Sequence, residues 1–319
     1  MNGSGVLKLI DLMKKFDVTS YPIIFTNSRR LERLTFFSYV GSVFIIMLLK
    51  VSYPFVPISD AEYEHVQTIY GYKYPQNRLP QCWVIPYVDL SVPRWFIPLY
   101  LSQLYFIPLF LVNATVILLF PFILLHLVGQ HIVLSYKLMS LGKSPIGIHS
   151  RHSRSHQKIR EAREKFELKK CIHIHQQLLH FRALYDSVTR KQIDLRVLIL
   201  FSTVCISSFS ITILSRFNLD KQCFLLAEFI LIFGYYYFSC MISEILEWAN
   251  CRIRRSAYNS AWYEMCPEAQ RMMLMLIRRT QKPHYTRSLA GIVVLCNESF
   301  VKSLKTVYTF IRFVNLANK

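Results

Sequence analysis

The sequence predicts an all-α fold, a polytopic membrane helical bundle, and three observations carry that prediction. Hydrophobic residues make up 53% of the 319 and aromatics 14%, with a mean hydropathy of +0.28, which is too apolar for an ordinary soluble domain of this size. A bilayer core needs about 20 mostly apolar residues per helix, and such runs number about five. They lie near 35–56, 104–128, 196–215, 223–246 and 289–314. The third observation is that basic residues crowd alternate segments between these runs, so that residues 1–319 read as one transmembrane domain.

The first run follows Arg29, Arg30 and Arg33, which places the N-terminus in the cytoplasm if positive charge stays inside. The loop at 57–95 is then outside and holds Asp60, Glu62, Glu64 and Asp89 against Lys73, Arg78 and Arg94. After the second run, the loop 137–195 falls inside and is rich in base, including Lys158, Arg160, Arg163, Lys165, Lys169 and Lys170. The third and fourth runs are joined by a short outer turn, and the loop 247–287 is again inside and basic, with Arg252, Arg254, Arg255, Arg271, Arg278 and Arg279. The C-terminus after the fifth run is expected outside. The opening MNGSGVLKLIDLMKKF has no apolar core long enough for a secretory signal peptide, so internal spans are expected to direct insertion.

The net charge of +19 would point to nucleic acid in a soluble protein. In a membrane bundle it fits inner loops facing anionic lipid, so membrane lipid is expected as a partner and nucleic acid is not. Eight cysteines without a CxxC pair give neither a zinc ribbon nor a disulfide scaffold. In CIHIHQQLLH, His173 and His175 are two residues apart and point roughly 200° away from each other on a helix, so no metal site is expected. GxSxG, HExxH, P-loop and GxGxxG motifs are absent, which leaves no enzyme signature and no cofactor.

Three features remain to be weighed as candidate sites. Aromatics crowd the outer halves of the second and fourth runs, among them Tyr105, Phe106, Phe110 and Tyr236. They suit either an apolar pocket for a small volatile or lipid-like ligand or an interfacial aromatic belt. Glu228 in the fourth run either faces protein or reaches water near the outer end of its span. In the last run Glu298, Lys302, Lys305, Thr309 and Arg312 follow at steps of four, three, four and three. At about 100° per residue they share an arc of roughly 80° on one helix face. On this segment alone the stripe reads equally as an amphipathic helix of a soluble protein or of a membrane surface, or as the wet side of a spanning helix.

From about residue 79 onward the chain resembles the insect odorant receptor family. The outer loop carries Leu79, Pro80, Trp83, Pro86, Tyr87, Asp89, Pro93 and Gln103, similar to the family pattern apart from the extra Val88. Cys171, Ile172, His175 and Phe181 resemble its inner-loop segment. Ala257, Tyr258, Trp262, Tyr263 and the Gln281-Lys282-Pro283 run resemble its approach to the last span, and Gly291, Phe300, Lys305, Tyr308 and Thr309 resemble its last helix.

The resemblance implies an odorant-binding tuning subunit of a ligand-gated nonselective cation channel in the plasma membrane. It also implies a small volatile odorant as ligand and a heterotetramer with the family co-receptor. Under it Tyr105, Phe106, Phe110 and Tyr236 are the ligand-binding candidates, and Glu298, Lys302, Lys305 and Thr309 the pore-lining ones. The family has seven spans, and alignment from the C-terminus leaves its first two without counterparts here. An N-terminally truncated, assembly-only or non-functional receptor is therefore the alternative, and a gustatory receptor of the same superfamily the second. A G-protein-coupled receptor requires an outer N-terminus, which the basic residues at 29–33 and 143–170 oppose.

Overall fold

The structure is a computed structural model and describes residues 3–14, 22–58, 60–80, 88–141, 154–214 and 219–317. Among the expectations above, Trp83, Pro86, Tyr87, the side chains of Phe110 and Glu228 and most of the side chains of 199–225 lie outside the described residues.

The described residues form eight α-helices: α1 Gly3–Lys14, α2 Pro22–Ser52, α3 Asp60–Tyr70, α4 Pro93–Met139, α5 Arg154–Leu214, α6 Leu219–Tyr258, α7 Pro267–Arg279 and α8 Asn297–Ala317. A two-stranded antiparallel hairpin, β1 Thr286–Ser288 and β2 Val293–Leu295, precedes α8. With 47 and 61 residues, α4 and α5 are roughly 70 and 90 Å long at 1.5 Å per residue. A bilayer core is about 30 Å thick, so both helices exceed what a membrane crossing requires.

Residues 1–30, 121–197 and 237–300 form one compact unit, and residues 31–120, 198–236 and 301–319 another. In the first unit α4 supplies Ile123, Leu127, Leu134 and Leu138, α5 supplies Leu168, Leu178, Phe181 and Tyr185, and α6 supplies Ile242, Leu246, Ile253 and Ala257. The steps of three, four, seven and ten found along these helices are those of an apolar stripe on each facing a common core. α7 adds Ala269, Met273 and Leu276 by the same spacing, with Pro267 at its first turn, where the missing N–H costs no helical bond. Lys165 of α5 pairs with Glu268 of α7.

Two glycines set close approaches in this unit. A Cβ on Gly129 of α4 would stand 2.9 Å from the Phe25 ring, and one on Gly5 of α1 would stand 2.8 Å from a Val188 methyl of α5. The absent side chains let α2 and α1 pack directly against the long helices.

Three described helices are apolar and long enough to cross a membrane: Ile23–Ser52, Leu118–Met139 and Phe229–Tyr258. They differ in what covers them. The most apolar window of Leu118–Met139 is 78% buried inside the chain, whereas that of Ile23–Ser52 is 11% buried. Phe37, Ile45 and Leu48 of α2 stand exposed, a surface that needs lipid or a partner over it.

In the second unit the connection between α3 and α4 is tied by one carboxylate. Asp89 accepts hydrogen bonds from the Lys73 and Ser91 N–H groups at 3.0 and 2.9 Å. Ser91 in turn takes the Tyr74 N–H on Oγ and the Asn77 amide on its carbonyl. The Asp of the odorant-receptor-like loop pattern is thus a loop organiser.

Candidate functional site

The polar stripe lies on α8. Glu298, Lys302, Lys305, Thr309 and Arg312 are all exposed, whereas the half-buried side chains are Ser299, Phe300, Ser303, Val307 and Ile311. At about 100° per residue the half-buried set spans an arc of roughly 120°, and the midline of the stripe stands roughly 160° from it. The stripe therefore points away from the protein that α8 packs on. Thr306 and Thr309 return their hydroxyls to the Lys302 and Lys305 carbonyls at 3.0 and 2.9 Å, which keeps both on the helix surface.

The sequence placed the start of this helix near 289, but α8 begins at Asn297 and residues 286–295 form the hairpin. Gly291, expected in the last helix, lies in the hairpin turn at φ 96°, preceded by Leu289 and Ala290 at φ 51° and 56°. Two consecutive residues with side chains in the left-handed region are costly by about 1–2 kcal/mol each, and need support. Asp194 of α5 gives it, accepting the Ser288 hydroxyl at 2.8 Å and the Leu289 N–H at 2.6 Å on one carboxylate oxygen.

A row of polar side chains on α6 fixes the chain from the end of α7 to the start of α8. Ser243, Glu247 and Asn250, at steps of four and three, share one helix face. The Asn250 amide donates to the Thr280 and Lys282 carbonyls, both at 3.2 Å. Glu247 accepts the His284 N–H, and Ser243 Oγ accepts the Thr286 N–H at 2.8 Å. Glu244, one residue on, accepts the Asn297 N–H at 3.0 Å. That contact puts a carboxylate on an otherwise unsatisfied N–H at the positive end of α8. Tyr237 packs on Phe300 just above, with ring centroids 5.1 Å apart. These residues were missed in the sequence, although polar groups at helical spacing inside the apolar CMISEILEWANC run were a signal.

The imidazole of His175 on α5 is buried and that of His284 in the connector half-buried. Burial, followed by the Arg279 charge, lowers His175 to about 4. Burial, followed by the Arg182 and Arg279 charges, does the same for His284. His173 is exposed while His175 is buried, as their nearly opposite directions on α5 dictate.

The aromatic candidates do not share one environment. Tyr105 and Phe106 of α4 are 71% and 43% exposed, in edge contact with each other at 6.3 Å. Tyr236 of α6 is buried. Side chains as open as Tyr105 become part of a closed pocket only when something else covers them.

A sequence model of the family described as 7tm Odorant receptor matches residues 9–308. A curated relative, putative odorant receptor 83c of Drosophila melanogaster, is 26% identical over 127 residues, which cover 40% of this chain and 29% of that protein. The match thus spans less than a third of that relative's length. The structure of the insect olfactory receptor OR5 from Machilis hrabei covers 98% of this chain and 74% of its own, with a TM-score of 0.70 at 11% identity. The structure of the same receptor in complex with eugenol gives a TM-score of 0.71 at 10% identity, over 99% of this chain and 75% of its own. At such identities the likeness to the solved receptors speaks for the fold. The family match over nearly the whole sequence goes further, and the chain belongs to the 7tm odorant receptor family.

Proposed function

We propose that this chain is an odorant-binding tuning subunit of a ligand-gated nonselective cation channel, assembled with the family co-receptor in the plasma membrane. Its N-terminus is cytoplasmic and its C-terminus extracellular. The observation that carries this reading is the direction of the α8 stripe, opposite the face by which α8 packs. A polar face turned away from its own chain is at home on water, and subunits set around an axis would give it a shared aqueous path. Glu298, Lys302, Lys305 and Thr309 would line that path, with Glu298 one turn from Lys302 to temper the positive charge. The eugenol complex of the Machilis receptor supports a small volatile ligand, and Tyr105, Phe106, Phe110 and Tyr236 are the aromatic side chains offered to it.

The test is coexpression with the co-receptor in a cell without endogenous odorant responses, recording currents evoked by an odorant panel. Odorant-dependent cation current that requires both subunits is expected, and Lys305→Glu should change its conductance or cation selectivity. Surface delivery without current would assign the chain an assembly role instead. Unaltered permeation in a well-expressed Lys305→Glu channel would remove the stripe from the pore.

A further inference from the structure

Between α5 and the connector from α7 to β1 lies a cavity of about 330 Å³. Four arginines line it: Arg182 and Arg190 from α5, Arg279 from the end of α7 and Arg287 from β1. Asp186 is the single carboxylate in its wall, one turn from both α5 arginines, and it is already engaged, accepting the Arg182 Nε–H at 3.0 Å.

Arg182 is the informative member. It is 7% exposed and held in place through Asp186 and through a hydrogen bond from Nη2 to Thr286 Oγ1 at 3.1 Å. Its remaining nitrogen, Nη1, is buried and has no acceptor among the described residues. A guanidinium is always charged, and one held this deep in the wall of a cavity with a single carboxylate leaves positive charge there that a bound anion offsets. A merely solvated basic surface explains exposed arginines, but not this one. Arg190, Arg279 and Arg287 are exposed and make no ion pair among the described residues, so their charge is uncommitted.

We infer that this cavity binds a phosphomonoester carried on a small polyol, of the inositol phosphate class. Four guanidinium groups around one space match a group that bears a charge of about −1.5 to −2 and three acceptor oxygens, which the exposed guanidinium groups can grip bidentately. The volume exceeds what a bare phosphate fills and falls at the lower end of small-molecule sites, which leaves room for the ring that carries the phosphate. The second Asp186 oxygen stands in the same wall as an acceptor for a ring hydroxyl. The same chemistry is offered by a free inositol phosphate and by a phosphoinositide lipid headgroup. Either would bridge α5 to the connector that leads through the hairpin to α8.

The experiment uses the purified full chain and two probes. Soluble inositol 1,4,5-trisphosphate is titrated calorimetrically onto the protein in detergent. In parallel, melting temperatures are compared in nanodiscs of phosphatidylcholine alone and with a few per cent phosphatidylinositol 4,5-bisphosphate. The variant is Arg279→Ala/Arg287→Ala, two exposed positions outside the core, and its melting temperature without ligand checks the fold. Saturable binding of the soluble probe, weakened about tenfold or more in the variant, is expected for a free ligand. A rise in melting temperature confined to phosphoinositide nanodiscs, and lost in the variant, would assign the lipid source. Binding of neither probe, or binding unchanged in the variant, overturns the inference.

Discussion

Replacing Asp194 by Ala should release the hairpin from α5 and with it the base of α8. Its one oxygen accepts from the Ser288 hydroxyl at 2.8 Å and the Leu289 N–H at 2.6 Å. Hydrogen bonds to a charged acceptor are worth about 1.5–3 kcal/mol each. The same contacts hold Leu289 and Ala290 at positive φ, so their loss also frees a strained turn to relax. With incomplete additivity between two bonds to one atom, the expected cost is about 3 kcal/mol. That corresponds to a rise of roughly a hundredfold in the local opening equilibrium, at 1.4 kcal/mol per factor of ten. Hydrogen–deuterium exchange of the purified protein reads it directly, as faster exchange of amides across 286–297 with the α5 core amides near 178–185 unchanged. Asp194→Asn keeps an acceptor oxygen and should cost less than half as much. If Asp194→Ala left exchange in 286–297 unaltered, or if Asn were as damaging as Ala, the account of Asp194 as the anchor of this turn would be wrong.

Gly129→Ala should destabilise the protein by about 1–3 kcal/mol by overpacking, because its Cβ would stand 2.9 Å from the Phe25 ring. Thermal melts of Gly129→Ala, Phe25→Leu and the double variant should show a double variant less damaged than the sum of the two. For pH, His175 and His284 sit at about 4 in the folded protein against about 6.5 in an unfolded chain. The unfolded state binds more protons between these values, so their contribution to stability is complete above about 6.5 and is lost as the pH falls toward about 4. Melting temperature should therefore decline from neutral pH to pH 4, and a His175→Asn/His284→Asn variant should show a flatter slope. Tyr105→Ala should reorder odorant potencies while leaving surface expression intact, measured by dose–response currents beside surface labelling; loss of expression would make Tyr105 a packing residue.

Much of the bundle was legible because its signals are local. The apolar runs near 35–56, 104–128, 196–215, 223–246 and 289–314 each fall largely within one helix, α2, α4, α5, α6 and α8 in turn. The α8 stripe was legible for the same reason, since helical periodicity alone puts Glu298, Lys302, Lys305 and Thr309 on one face. The helix start was not. Residues 289–296 are apolar enough to read as the beginning of a span, yet Val293 and Val294 are β-branched and suit a strand once β1 pairs with them. A strand needs a partner, and hydropathy does not see one.

What covers an apolar helix was likewise decided only by the tertiary structure. Leu118–Met139 and Ile23–Ser52 are both apolar enough to cross a membrane, but the first is largely enclosed by its own chain and the second is bare. A leucine facing protein and a leucine facing lipid contribute the same to hydropathy. The anchoring of α8 depends on contacts between residues far apart in sequence, Glu244 with Asn297 and Asp194 with Leu289. The arginines around the cavity likewise come from α5, α7 and β1. The sequence by itself determined the family, the helices and the polar face of α8, because these follow from motif order and periodicity along the chain. The tertiary structure decided where α8 begins, what holds its base and which arginines meet, because directional hydrogen bonds and unpaired charges acquire a location only when distant segments pack.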